Sequence, residues 1–237
     1  MKSLNVFFFG FLMLAAMTAC RHSGRPVPVQ ESGEETKSKK AMVVYIQPLG
    51  DVDPEYIRVV MNAIEKFYGF GSELRPVVEP TDDLLAASKT RYDAEKILAR
   101  FNSNDHVLVL TEKHFATRKG NIPEWGIFGL GYLPGKVCTV STYRFENGVS
   151  RDKVLERLEK IALHELGHNL GLPHCDNDPY CLMSDARGTI KTVDRCKVWL
   201  CDRCRDEKDH SHEDHQVAGK EIRLKDHGKV FPFQRFT

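Results

Sequence analysis

The chain has 237 residues, 41% hydrophobic and 28% charged, enough apolar material for one compact core. A formal net charge of +1 gives no electrostatic case for nucleic acid or for a strongly acidic partner. Past the N-terminus no stretch is apolar for long enough to span a bilayer.

The N-terminus differs from the rest. Lys2 and the apolar run Leu4 to Met17 have the anatomy of a secretory signal, residues 1–19. The run ends Met17-Thr18-Ala19-Cys20, small residues leading into a cysteine, as in a bacterial lipobox. Cys20 is therefore the expected lipidation site, and an ordinary cleaved signal is the alternative. Residues 20–40 read as a flexible tether, with Pro26, Pro28, Ser32, Gly33 and Ser38 set among charges. The expected location is the bacterial cell envelope, with the membrane reached through an N-terminal lipid anchor.

One domain is expected over residues 41–237. Met42 to Ile46 reads as a buried strand, bounded by Pro48 and Gly50. Asp53 and Pro54 supply an N-cap and a first helical position for a helix to about Tyr68. Its apolar face is Ile57, Val60, Met61 and Ile64. Arg75 to Val78 is a second strand, Arg91 to Phe101 a second helix, and His106 to Thr111 a third strand. This order predicts an α+β domain, a mixed sheet flanked by helices. Between Trp125 and Phe145, Gly126, Gly129, Gly131 and Gly135 mark bends, and Val137 to Tyr143 alternates as a strand. That strand is either an edge that pairs with extended substrate or an internal strand without substrate contact. Cys138 reads as a small buried hydrophobe.

The most specific signal follows. Ser150 is an N-cap, Asp152 suits the positive end of the dipole, and Val154, Leu155, Leu158, Ile161 and Ala162 form a packed stripe. The helix then runs into His164-Glu165-Leu166-Gly167-His168-Asn169-Leu170-Gly171-Leu172-Pro173-His174, which fits H-E-x-x-H-x-x-G-x-x-H. His164 and His168, four apart on a helix, project from one face. Gly171 can adopt a positive φ, turn the chain back and, with Pro173, deliver His174 as a third ligand. Three neutral nitrogens leave one zinc position open, as hydrolysis requires. Glu165 is rotated off that face, near enough to serve the hydrolytic water as general base without ligating.

The chain has seven cysteines. Cys175 and Cys181 form one close pair and Cys201 and Cys204 another, the arrangement of a closed four-cysteine zinc site that would staple residues 175–204. Two disulfides or free thiols are the alternative. Cys196 has no assigned role.

These motifs resemble the archaemetzincins, a metzincin-like group with the pattern H-E-x-x-H-x-x-G-x-x-H-C, then C-x-M, seventeen residues and C-x-x-C. His164 to Cys175 match in order, Cys181-Leu182-Met183 supplies C-x-M, and Ser184 to Leu200 is the spacer. One departure is the five residues Asp176 to Tyr180 between the first two cysteines, where the family has four. The resemblance spans about forty residues of motif. It implies a zincin/metzincin-like fold and a zinc-dependent peptidase acting on peptide or protein substrates. It also implies two Zn2+, one catalytic and one structural, with Met183 in the turn beneath the metal. Endopeptidase and aminopeptidase action both stay open.

Some metzincins carry a Tyr two residues after that Met; here the position is Asp185. Neither Tyr143 nor Tyr180 is assigned in its place. Residues 205–237 read as a polar, solvated tail, with histidines between His210 and His215, and with Phe231, Phe233 and Phe236 placed to dock its end. Two other readings remain at this level: a catalytically silent zinc- or peptide-binding envelope lipoprotein, and a structural zinc protein with a vestigial motif.

Overall fold

The computed structural model describes residues 42–145, 148–217 and 229–232, with side chains described as far as Asp209. Cys20 and the expected signal and tether lie outside the described residues. A central sheet has the order β2 (Gly71–Leu74), β1 (Val43–Pro48), β4 (His106–Thr111), β8 (Val137–Ser141), β7 (Gly129–Leu133) and β9 (Lys229–Pro232). The first four strands are parallel, and β7 runs against both of its neighbours. A smaller sheet holds β3 (Tyr92–Asp93), β5 (Phe115–Lys119) and β6 (Ile122–Gly126). No helix among the described residues is long and apolar enough to cross a membrane.

The central strands are apolar throughout because both faces of the sheet are covered. In β4, Leu108 and Leu110 join a core shared with α1 (Pro54–Tyr68) and α3 (Arg151–Asn169). Val107 and Val109 point the other way, into a second core with Ile97 and Leu98 of α2 (Ala94–Phe101). The α+β expectation holds, as do β4, the Asp53 cap on α1 and the Ser150 cap on α3.

Several local expectations are corrected. The second strand is not Arg75 to Val78 but Gly71–Leu74. Pro76 has no N–H for the ladder, and beyond it only Val78 makes an isolated bridge, to Leu49. The strand that does form is a mostly exposed edge and so carries no apolar alternation. The second helix begins at Ala94 rather than Arg91, because the Asp93 side chain accepts from the backbone N–H of Glu95 and Lys96. Along α1 the buried face is Tyr56, Val60, Ala63 and Ile64, with Ile57 and Met61 only partly covered. β8 is internal and buried throughout, which overturns the edge-strand reading of Val137 to Tyr143. The expected tail folds in part: α5 spans Asp202–Val217, and the backbone of Phe231 pairs with Gly131 through β9. Phe233 and Phe236 lie outside the described residues.

The N-terminal half of α3 is fastened to α4 (Ile190–Arg195) by Arg157, with help from Lys153 on the Asp194 carboxylate and Lys160 on the Val193 carbonyl. Arg157, with 8% of its side chain exposed, donates to both Asp194 oxygens at 2.8 and 2.7 Å and to the Phe145 carbonyl at 2.8 Å. That hydrogen bonding holds the Asp194 carboxyl below its usual range. Arg157→Met should therefore cost about 2 kcal/mol, a fall of several degrees in Tm. A carboxyl with a lowered folded pKa stabilises the fold above the unfolded carboxylate range, and that contribution goes as pH falls through the folded value. Asp194→Asn should accordingly flatten the acid limb of a stability–pH curve; an unchanged limb would show that the pair contributes nothing.

Candidate active site

The site exists because α3 lies unusually close to β7. Gly129 and Gly131, two apart, face the helix from one side of the strand. A methyl group on Gly129 would sit 2.5 Å from both Cγ and Oε1 of Glu165; on Gly131 it would meet the Glu165 carbonyl oxygen at 2.9 Å. At the end of α3, the Asn169 amide donates to the carbonyls of Tyr132 and Val137, tying the helix to the β7–β8 hairpin. Gly171, at φ 94°, then reverses the chain, and its N–H donates to the His168 carbonyl. His174 comes back as expected: the ligand atoms of His164, His168 and His174 lie within 4.8 Å of one another.

The hydrogen bonds fix which nitrogen of each helical imidazole faces that centre. His164 Nδ1 lies 2.8 Å from the Leu182 carbonyl and His168 Nδ1 2.7 Å from the Leu172 carbonyl. A carbonyl only accepts, so each Nδ1 donates and each Nε2 carries the lone pair. Burial pushes His168 down to about 3 and His174 to about 4, and His164 falls well below its ordinary value. Repulsion between the neighbouring rings adds to the effect on His164 and His168. All three are therefore neutral across the physiological range, the form in which an imidazole can ligate a metal. His168 Nε2 is buried without a hydrogen-bond partner, an expensive state for a polar atom that a metal would relieve. The donor set fits zinc with one position to spare. Glu165 is fully buried, neither carboxylate oxygen is hydrogen bonded, and desolvation raises its pKa well above the ordinary value.

The four expected sulfurs also converge. Cys175, Cys181, Cys201 and Cys204 are buried with their sulfurs within 4.8 Å, and Cys175 and Cys201 are 3.6 Å apart. Zinc–sulfur bonds of about 2.3 Å in a tetrahedron place sulfurs about 3.8 Å apart, so this cage too can hold zinc. None of the six described cysteines is in a disulfide. Cys138 is fully buried, and Cys196 is buried outside the cage. The extra residue between the first two cysteines is carried outward, with Asp176, Asn177, Pro179 and Tyr180 exposed. Met183 is buried beneath α3, where a methyl group on Gly167 would meet its sulfur at 2.6 Å.

Several contributors escaped the sequence reading. Gly129 and Gly131 looked like bends, yet their role is close approach; the i, i+2 spacing ahead of the histidine helix was the available signal. The carbonyls of Leu182 and Leu172 and the Asn169 amide carry no sequence mark at all. The Tyr68 hydroxyl, which donates to the Leu163 carbonyl at 2.8 Å, lies nearly a hundred residues from the helix that it braces. Tyr143 and Tyr180 are about half exposed, and Tyr143 stacks on His114.

The model of peptidase family M54 matches residues 55–209. An archaemetzincin of Halobacterium salinarum is 34% identical over 178 residues, covering 69% of this chain and 97% of that relative. The archaemetzincin of Archaeoglobus fulgidus is 30% identical over 163 residues, covering 69% and 96%. Its crystal structure, complexed with malonate, superposes with a TM-score of 0.62 at 29% identity over 70% of this chain and 99% of that one. The archaemetzincin structure from Methanopyrus kandleri, 22% identical with a TM-score of 0.63 over 75% and 99%, shares the fold. The family match takes in the histidine helix and all four caged cysteines, and the relatives match along nearly their whole length: the chain belongs to peptidase family M54, the archaemetzincins, a family of zinc metallopeptidases.

Proposed function

We propose that this chain hydrolyses peptide bonds at a zinc held by His164, His168 and His174, with Glu165 as general base. A second zinc, held by Cys175, Cys181, Cys201 and Cys204, supports the first site. The observation that carries this reading is the Glu165 carboxyl: buried, free of hydrogen bonds and adjacent on α3 to two of the convergent histidines. Zinc, when bound, supplies Lewis acidity toward the scissile carbonyl and toward water. Glu165 takes the proton of the attacking water and returns it to the departing amine, so the carboxyl ends the cycle as it began. Buried, with neither oxygen tied up by a hydrogen bond, the carboxylate has both oxygens available for that exchange. The Leu182 and Leu172 carbonyls keep the imidazoles from rotating during that exchange. At the N-terminus, lipidation of Cys20 would hold the domain at the membrane surface of the bacterial cell envelope on the tether of residues 20–40.

Glu165→Gln should lower peptide hydrolysis by about a thousandfold or more with zinc content unchanged; a variant as active as wild type would remove Glu165 from the chemistry. Gly129→Ala should lower turnover about 10- to 100-fold at full zinc occupancy, because the new methyl displaces the carboxyl. Elemental analysis of the purified chain should give two zinc per molecule. Cys201→Ser should lose one of them and melt several degrees lower, whereas a normal melting point after that loss would contradict the supporting role. Detergent phase partitioning should place wild type in the detergent phase and Cys20→Ala in the aqueous phase; identical partitioning would rule out the anchor.

A further inference from the structure

Upstream of β7, a second group of functional side chains gathers around Gly126, the last residue of β6. Arg144 donates through Nη1 to the Gly126 carbonyl, and its guanidinium lies over the Phe128 ring at 4.7 Å. A methyl group on Gly126 would be 3.4 Å from Arg144 Nη1 and 3.4 Å from His114 Nε2, so both nitrogens face the same side of that residue. The His114 ring is held by stacking on Tyr143, with centroids 4.5 Å apart. Arg91 donates to the neighbouring Glu124 carbonyl at 2.9 Å. Burial lowers His114 and Arg144, and the nearby charge of Arg91 lowers both further, as that of Arg144 does His114, so two guanidiniums and a neutral imidazole share this patch.

Such a cluster ordinarily carries its own carboxylate. Here no carboxylate pairs with Arg144 among the described residues. The Glu124 carboxylate is engaged by the Ser88 N–H and hydroxyl at 2.7 and 2.6 Å and faces the charge of Arg91, which leaves Arg144 as the guanidinium of the patch that no described carboxylate pairs. With Nη1 committed to Gly126, the Nε–Nη2 edge of Arg144 is the edge that matches a carboxylate in bidentate geometry.

The position of the cluster relates it to the active site. Gly126 is three residues from Gly129, the residue against Glu165, which is at most about 10 Å of chain. Trp125, beside it, lies against the loop that follows Met183, where a methyl group on Gly188 would meet its ring at 3.0 Å. We propose that Arg144, with His114 and Arg91, forms a carboxylate-recognition subsite that selects peptides with a carboxylate two or three residues from the cleaved bond. This rests on the peptidase reading of the same site. The carboxylate is either the free C-terminus of a short peptide or an acidic side chain, and the test separates the two.

Binding is measured by fluorescence anisotropy on the zinc-loaded, full-length Glu165→Gln chain, which does not turn its ligand over. Three labelled pentapeptides of one neutral sequence serve as probes: the C-terminal amide, the free acid, and an amide with one internal Glu. At least one carboxylate-bearing peptide should bind about 10-fold more tightly than the neutral amide. Added Arg144→Gln should erase the difference, and Arg144→Lys should keep part of it, which guards against a folding defect. Preference for the free acid identifies the C-terminus as the ligand, and preference for internal Glu identifies the side chain. Equal binding of all three, no binding of any, or a preference that survives Arg144→Gln overturns the subsite. Carboxylate selection here, with no hydrolysis of the same peptides by wild type, would sink the peptidase reading and leave the subsite standing.

Discussion

Helix α3 lies against β7 at a separation that one added methyl group would forbid. Gly129 and Gly131 lack the side chains that would otherwise hold the helix away from the strand. Everything in the histidine centre depends on that approach. It drives His164, Glu165 and His168 into the interior, where burial keeps two imidazoles neutral and a carboxyl dry. Burying three such groups without a packed floor would be prohibitive. The floor is supplied by Met183 under Gly167, Tyr68 against the Leu163 carbonyl and the hairpin grip of Asn169.

The histidine and cysteine clusters are one mechanical unit. Leu182, which orients His164 through its carbonyl, is flanked by Cys181 of the sulfur cage and by Met183 of the floor. Its N–H donates to the Trp199 carbonyl, and the Met183 carbonyl receives the Cys175 N–H. Any displacement of the cage therefore reaches the histidine ring within one peptide unit. Between Cys175 and Cys201 the chain forms only a six-residue helix and short turns before α5 begins at Asp202, so the four converging sulfurs do much to set its shape.

How much was legible depended on how local the signal was. The histidine helix, its cap, its positive-φ glycine and the four cysteines were readable because ligand spacing is written in consecutive residues. Strand β4 was readable because burial on both faces makes a continuous apolar run. The edge strand Gly71–Leu74 was not, because an exposed edge lacks that pattern. The start of α2 was misplaced because the periodicity of Ile97, Leu98 and Phe101 marks a helical face but not its first residue, which the Asp93 cap sets. Glycines, backbone carbonyls and Tyr68 became visible only with the fold, since their partners are distant in sequence. The pairing of β9 with β7, across almost a hundred residues, was equally beyond a local reading.

The 3.6 Å between the Cys175 and Cys201 sulfurs has a consequence for maturation. A disulfide bond is about 2.05 Å long, so the two thiols need move less than about 2 Å to couple. On the two-zinc proposal, metal and oxidant would compete for the same atoms in the newly folded chain. In the proposed two-zinc form, zinc loaded first would occupy all four sulfurs and protect them. Oxidation first would consume two of the four and trap a chain whose histidine centre had lost its support.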